Sequence, residues 1–530
     1  MKNLTANHII TPDHSPNYLL FMKTRISFQR CWYFSLLFIA VLSCQKDKFK
    51  PELSAENELV SFVFAADKHP NVLNEIETEI IGDTIFARTL VGTNVQALTP
   101  DFEHKGVKVT VNNVEQVSGK DKQDFSKLVK YTVAAENGDG KTYIVKFVDT
   151  GLPAIYLSTD GKPIESKEDY ITGSIKITSG FEGKVVYEGV TEVKGRGNST
   201  WWMPKKPYRI KLDKKVALLG MPADKSWALL ANYGDQSLLR NEIAFEVSRR
   251  LDMGYTPRQQ YVELFLNGEF MGNYTLTEHI KEGIDRVAID EKNGGFILEG
   301  DGYAYSEPVH FITDQNMPIT VKFPDEDDIT PAQLEYITKY VGTFENSLFK
   351  IGDQVNSNYQ DYFDLPSFVN YYLANEICGN SDLLWSMRMY KKSSLDPKIY
   401  VGPVWDFDLG FNNDKRLGDS QEVMMMDKAH EPRAWMNKLM VDPSFKKLVR
   451  SRWKEVKSKL ESMPEYIDQR AKKISYSQRY NFKRWGVLGM NINQSWFVAA
   501  THQEYVGFVR DFLTKRITWL DGVINGPQFD

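Results

Sequence analysis

The chain has little cysteine: three in 530 residues, Cys31, Cys44 and Cys378. So few leave no paired framework, and stability must come from core packing instead of disulfides. After residue 44 no run of 18 consecutive apolar residues occurs, which excludes a hydrophobic helix long enough to span a bilayer in that part of the chain. Positive charge is not in excess either. The 65 Lys and Arg stand against 70 Asp and Glu, a net charge of −5, which argues against nucleic acid as a partner. Eight histidines include no His-x3-His and no cysteine pair at ligand spacing, so a zinc site is not expected. What is plentiful is apolar surface. A 42% hydrophobic, 13% aromatic chain can form two or three domains of about 100–200 residues each.

The amino terminus carries an export pattern. Lys23, Arg25 and Arg30 precede an apolar run from Cys31 through Leu42, which ends on Ser43-Cys44. A charged stretch, a short apolar run and a small residue before Cys is the pattern of a bacterial lipoprotein signal, with Cys44 as the lipidated residue. Residues 1–21 lack this logic, which makes Met22 a candidate start. The expectation is a signal region over 1–44 and a protein held by lipid at the cell envelope, on the periplasmic face or the cell surface.

From 50 to 150, short β-branched stretches at Leu59–Phe64, Thr84–Leu90, Val107–Val111, Lys130–Val133 and Thr142–Phe147 are separated by turn formers. Asn137-Gly138-Asp139-Gly140 marks a hairpin. This predicts a small all-β, Ig-like sandwich. Beyond Gly151-Leu152-Pro153 the texture changes, and 153–530 reads as one α+β domain, strand-rich first and helix-rich second. Strands are expected at Ala154–Leu157, Gly173–Ile177, Lys184–Lys194, Tyr208–Leu212, Phe296–Glu299 and Ile319–Phe323. Val262–Leu266 and Met271–Leu276 form a hairpin through Asn267-Gly268. Helices are expected at Gln236–Leu251, Leu365–Cys378, Ala434–Leu460 and Gln503–Val523.

Two stretches could carry chemistry. In Lys194-Gly195-Arg196-Gly197-Asn198-Ser199-Thr200-Trp201, two glycines flank an Arg, and Asn, Ser and Thr supply hydrogen bonds, which together suit an anion cradle. Strand alternation after it places Lys206 on the face of Tyr208, Ile210 and Leu212, where a lysine needs an anionic partner. In Trp405-Asp406-Phe407-Asp408 two carboxylates sit among apolar residues, an arrangement that is costly unless they are paired or bound to a cation. Upstream, Gly379-Asn380-Ser381-Asp382 ends an apolar helix and leads into a strand at Met387–Tyr390, so a strand–turn–strand hairpin carries Asp382 towards Asp406. His279, beside Glu278, reads as a structural histidine. Trp201-Trp202 could stack a sugar or an adenine.

These motifs, together with Trp227–Tyr233, Asp235, Arg240-Asn241 and Leu266–Tyr274 followed by Glu278, resemble the spore-coat protein H (CotH) kinase family in order and spacing over 154–470. The resemblance implies a two-lobed, atypical protein-kinase-like fold that binds ATP with Mg or Mn and phosphorylates serines of a protein partner, such as one with a serine-rich segment. Carried over, Gly195, Arg196, Gly197, Asn198 and Ser199 would cover the phosphates. Lys206 first and Lys211 second are candidates for the phosphate-pairing lysine, with Glu278 as its partner. Asp382 would accept or orient the substrate hydroxyl, Asp406 would hold the metal with Asp408 assisting, and Glu299 with Asp301 could line the nucleotide pocket. Where kinases carry an Asn five residues beyond the catalytic Asp, this chain has Met387. The alternative is a non-catalytic surface protein that binds a protein or polysaccharide through the same fold.

Overall fold

The computed structural model describes residues 52–69, 72, 76–180, 183–352, 357–428, 433–492 and 495–530. The signal segment and Cys44 lie outside the described residues. Alternating apolar residues build an amino-terminal all-β region: Thr84–Thr89 buries Ile85, Ala87 and Thr89, and Val129–Ala134 buries Val129, Tyr131 and Val133. Its larger sheet has six strands in the order Glu77–Ile81, Thr84–Thr89, Gly140–Asp149, Val129–Ala134, Lys108–Val111 and Val114–Glu115. Leu59–Val63 pairs with Asp101–His104 as a second sheet, and both share a core around Phe62, Phe102 and Tyr131. The Asn137 turn closes the expected hairpin, with Asp139 N–H donating to Asn137 Oδ1 at 2.9 Å. Glu77–Ile81 and Asp101–His104 escaped the sequence reading because each holds one or no fully buried residue.

The next strands curl into a closed seven-stranded barrel in the order Ile171–Thr178, Val185–Gly195, Tyr208–Leu218, Met221–Leu230, Glu269–Glu278, Gln259–Leu266 and Ala154–Ser158. Ala154–Ser158 closes it by pairing parallel to Gln259–Leu266 and antiparallel to Ile171–Thr178. Inward residues such as Ile177, Val193, Ile210, Trp227, Leu264 and Leu276 fill the interior. Met221–Leu230, not expected as a strand, is half of a hairpin with Tyr208–Leu218.

A larger core lies beyond the barrel. It joins the helix Arg240–Arg250 to a five-stranded antiparallel sheet, ordered His310–Ile312, Pro318–Phe323, Phe296–Gly300, Met387–Lys391 and Ile399–Val401. The helices Pro331–Leu348, Leu365–Cys378, Pro443–Leu460, Met463–Lys473 and His502–Ile524 pack around the same core. The first helix starts at Arg240, four residues later than its periodicity suggests. Leu238 takes φ +60° there, and Asp235 accepts from the Ser237 and Arg240 amides ahead of the first turn. The stretch Ala434–Leu460 is two helices, because Asp442 caps a new one at Pro443 by accepting from Ser444 N–H. Among the described residues no helix is long and apolar enough to cross a membrane. Cys378 is buried and free, its thiol pushed up by burial.

The amino-terminal region packs on the barrel. Leu90 and Val91 share a small apolar cluster with Phe265, Phe270 and Tyr480, and Tyr480 donates to the Arg88 carbonyl at 2.9 Å.

Candidate functional site

The loop after Val185–Gly195 is shaped by a close approach. A Cβ on Gly195 would stand 2.4 Å from the Trp201 ring, which covers the end of the strand. Lys206 fastens the base of the loop, its ammonium donating to the Trp201 carbonyl at 2.5 Å and lying 5.1 Å from the Trp201 ring centre. Gly195→Ala is expected to push this ring aside and cost about 1–3 kcal/mol, as overpacking does, read as a fall in the urea midpoint.

Asp382 is delivered by the helix Leu365–Cys378. Gly379 ends that helix at φ +60°, a left-handed cap, and Asn380 N–H returns to the Asn375 carbonyl at 3.0 Å. The chain then turns, with Trp385 N–H donating to Asp382 O, before the strand Met387–Lys391. That strand pairs with Ile399–Val401, so the expected hairpin exists and brings Asp382 and Asp406 to one cavity. Asp406 itself sits at φ +65° and is exposed, while Phe407 beside it is fully buried and its N–H donates to Asn241 Oδ1 at 2.9 Å. Anchoring Phe407 fixes the direction of both carboxylates.

The cavity measures about 670 Å3. Arg196, Gly197, Asn198 and Ser199 line it on one side, and Glu299, Asp301, Asp382, Asp406 and Asp408 elsewhere. A narrower recess, also walled by Arg196, Asp406 and Asp408, runs towards Leu230, Tyr233 and Phe245. Charge is divided across the cavity. The Asp408 carboxyl is held well above its usual range by burial first, then by the charges of Asp406, Asp235 and Asp382. Burial lowers the Arg196 guanidinium to about 10 against the pull of Asp406, and its Cζ lies 5.3 Å from the Trp405 ring centre. His279 does not line the cavity, and its imidazole is held well below its usual range by burial and then by Arg209, Arg196 and Arg388.

Four expected site residues do not line the cavity, the first being Gly195, which lies under the Trp201 ring. Lys206 holds the loop from behind, because Pro207 interrupts the pattern and the strand begins only at Tyr208. Lys211 points outward, paired across the strands with Glu192 at 3.3 Å. Glu278 is fully buried and bound to Arg258, Arg286 and the Tyr255 hydroxyl, with neither lysine among these partners. In their place stands Lys322, reaching Glu299 at 3.4 Å and Glu307 at 2.9 Å, while Arg388 meets Glu299 at 2.7 Å. Burial raises the Glu299 carboxyl, and Arg388 and Lys322 oppose that rise. Sequence reading missed Lys322 because it falls at the end of an ordinary strand, Pro318–Phe323, and only its pairing with Phe296–Gly300 sets it beside Glu299. It also missed Lys205, whose ammonium is buried on Asn481 Oδ1 at 2.8 Å and the Asn273 carbonyl, and is driven well below its usual range by burial.

Asp406 and Asp408, the pair expected from the sequence to hold a cation, both line the cavity. Among the described residues no group of three or more His, Cys, Asp or Glu is arranged to hold a metal. Two carboxylates, one of them lifted by burial and then by its like-charged neighbours, are a donor set whose oxygen chemistry fits a hard divalent cation.

Residues 70–147 match a family described as SGBP, N-terminal. No curated protein matches the chain. A crystal structure from Bacteroides thetaiotaomicron, named as a candidate glycoside hydrolase, shares 16% identity and covers 51% of this chain and 67% of its own. Its TM-score of 0.16 is too low to carry any argument about fold or activity. Residues 193–520, which hold the loop, Asp382 and the Asp406–Asp408 pair, match the family described as CotH kinase protein, and the chain belongs to that family.

Proposed function

We propose that the protein is an atypical kinase of two-lobed design, held at the cell envelope by lipid on Cys44, which transfers phosphoryl groups from ATP to serines of a secreted or surface protein. The observation that supports this reading is the convergence of the Arg196–Ser199 loop, Lys322, Asp382, Asp406 and Asp408 on one cavity of about 670 Å3, a size suited to a nucleotide. ATP with Mg or Mn supplies the transferable group and the cation that offsets its charge, and positioning is what such chemistry asks of the protein. Asp406 and Asp408 would hold the cation, whose charge would offset the burial and the neighbouring carboxylates that lift the Asp408 carboxyl. Arg196 and Lys322 face the phosphates, and Glu299 orients Lys322 as Glu278 was expected to orient Lys206. Asp382, on the same wall, receives the proton of the serine hydroxyl.

A second reading, a non-catalytic protein that binds a protein or polysaccharide partner, is favoured by Met387, fully buried where a second metal-binding Asn would stand, and by the exposed Tyr303 at the cavity. Calorimetric titration of the full chain with ATP and Mg or Mn, beside Asp406→Ala, separates the two. The kinase reading expects metal-dependent binding that Asp406→Ala weakens at least about tenfold, some 1.4 kcal/mol. No binding with either metal would discard it for the second.

A further inference from the structure

A second pocket of about 240 Å3 lies behind the segment that carries Asp406. Gly402 and Pro403 form one wall, and the chain reaches Asp406 three residues later, yet the two cavities share no lining residue. Met253, Val287 and Ala288 make other walls apolar, and the charged groups that line it are Arg286 and Lys392, with no carboxylate.

The surrounding charges do not balance. Glu278, fully buried, is the carboxylate that serves both Arg286 and Arg258, and it also accepts from the Tyr255 hydroxyl at 3.1 Å and the Arg258 amide at 2.9 Å. Arg286 is only 4% exposed, and its Nε and Nη2 find no acceptor among the described residues. A buried guanidinium with two idle N–H groups is costly and is normally completed by an acceptor. Lys392 stands over the Tyr400 ring at 3.8 Å, a contact that holds an ammonium without neutralising it. Among the groups that line the pocket, two cations therefore face no carboxylate, and low-dielectric walls strengthen the attraction for an anion there.

We infer that this pocket is an anion-binding site that takes a small oxyanion, a phosphate or a carboxylate, between Arg286 and Lys392. Arg286 supplies the forked contact that suits either group, and Lys392 supplies a point charge. The site does not depend on the kinase reading, because it uses none of the residues of the larger cavity.

Calorimetric titration of the full chain with inorganic phosphate, and separately with acetate, tests it. Saturable binding of either ion is expected, weakened at least tenfold by Lys392→Glu and unchanged by Lys322→Gln, which removes a cation from the larger cavity. Arg286→Lys, which keeps a cation for Glu278 but removes the fork, is expected to weaken it too, with thermal unfolding confirming that each variant is folded. Tighter phosphate than acetate points to a phosphorylated group as the natural occupant, and the reverse to a carboxylate. The inference is overturned if neither ion binds saturably, or if Lys322→Gln removes the binding while Lys392→Glu and Arg286→Lys leave it intact, which would place the anion in the larger cavity.

Discussion

Arg516→Met is expected to remove about 3–5 kcal/mol of stability, the usual cost of breaking a buried ion pair from one side. Arg516 and Glu376 are both fully buried and meet at 3.1 Å. Burial lowers the guanidinium and raises the carboxyl, and each opposes the shift of the other. The guanidinium also donates to the carbonyls of Ser420, Gln421, Val423 and Glu376, and Glu376 accepts from the Met425 and Met426 amides. A methionine fills much of the volume but leaves a carboxylate and four carbonyls short of donors. The clamp matters to the site because Glu376 sits on the helix that presents Asp382, whereas residues 420–426 follow the loop that begins at Asp406. Urea unfolding measures the loss. Arg516→Met/Glu376→Met should recover a good part of it, since no charge is then stranded. A loss under about 1 kcal/mol in the single variant would show that the pair is not the clamp described.

Much of this arrangement was legible from residue order alone, for identifiable reasons. The amino-terminal strands with alternating burial, the Asn-Gly hairpins and the helix Leu365–Cys378 are local patterns that tertiary packing reinforces. Arg196, Asp382, Asp406 and Asp408 were legible because unusual residue types stand in apolar or glycine-rich surroundings, and the structure gathers all four. The closed barrel was not, since closure depends on Ala154–Ser158 pairing with a strand more than 100 residues away. The lysine assignment went astray for a related reason. Alternation was carried back from Tyr208 through Pro207 to Lys206, but a proline donates no ladder hydrogen bond, and the buried residue there is Lys205. Lys322 and the network on Glu299 required cross-strand register, which no local pattern encodes.

Glu263 leads to the other large effect, because it is a carboxyl buried where three elements meet. It lies on the barrel strand Gln259–Leu266, fully buried, near Thr150 and the Val91 amide of the amino-terminal side and Ser477 of the helix Ser477–Arg484. Those neighbours pull its pKa down, but neither carboxyl oxygen gains a hydrogen bond of normal geometry, and burial prevails, raising it from 4.5 to about 8. The folded protein therefore holds this proton more tightly than the unfolded chain does. The stability that follows is full below pH about 4.5 and is lost as pH rises through about 8, at roughly 1.4 kcal/mol per pH unit. Over that window the loss amounts to something on the order of 5 kcal/mol. Glu263→Gln keeps the shape of the protonated acid and cannot ionise, so the variant should lack this slope. The stability of the wild type relative to Glu263→Gln, measured by urea unfolding at a series of pH values, should fall steadily from pH 5 to 8 and level off above. Parallel curves for the two proteins would mean that Glu263 ionises in the folded state as readily as in the unfolded chain. With the expected slope, alkaline pH would put its cost on the contact between the amino-terminal region and the barrel, since ionised Glu263 gains water only if Thr150, Val91 or the helix Ser477–Arg484 gives way.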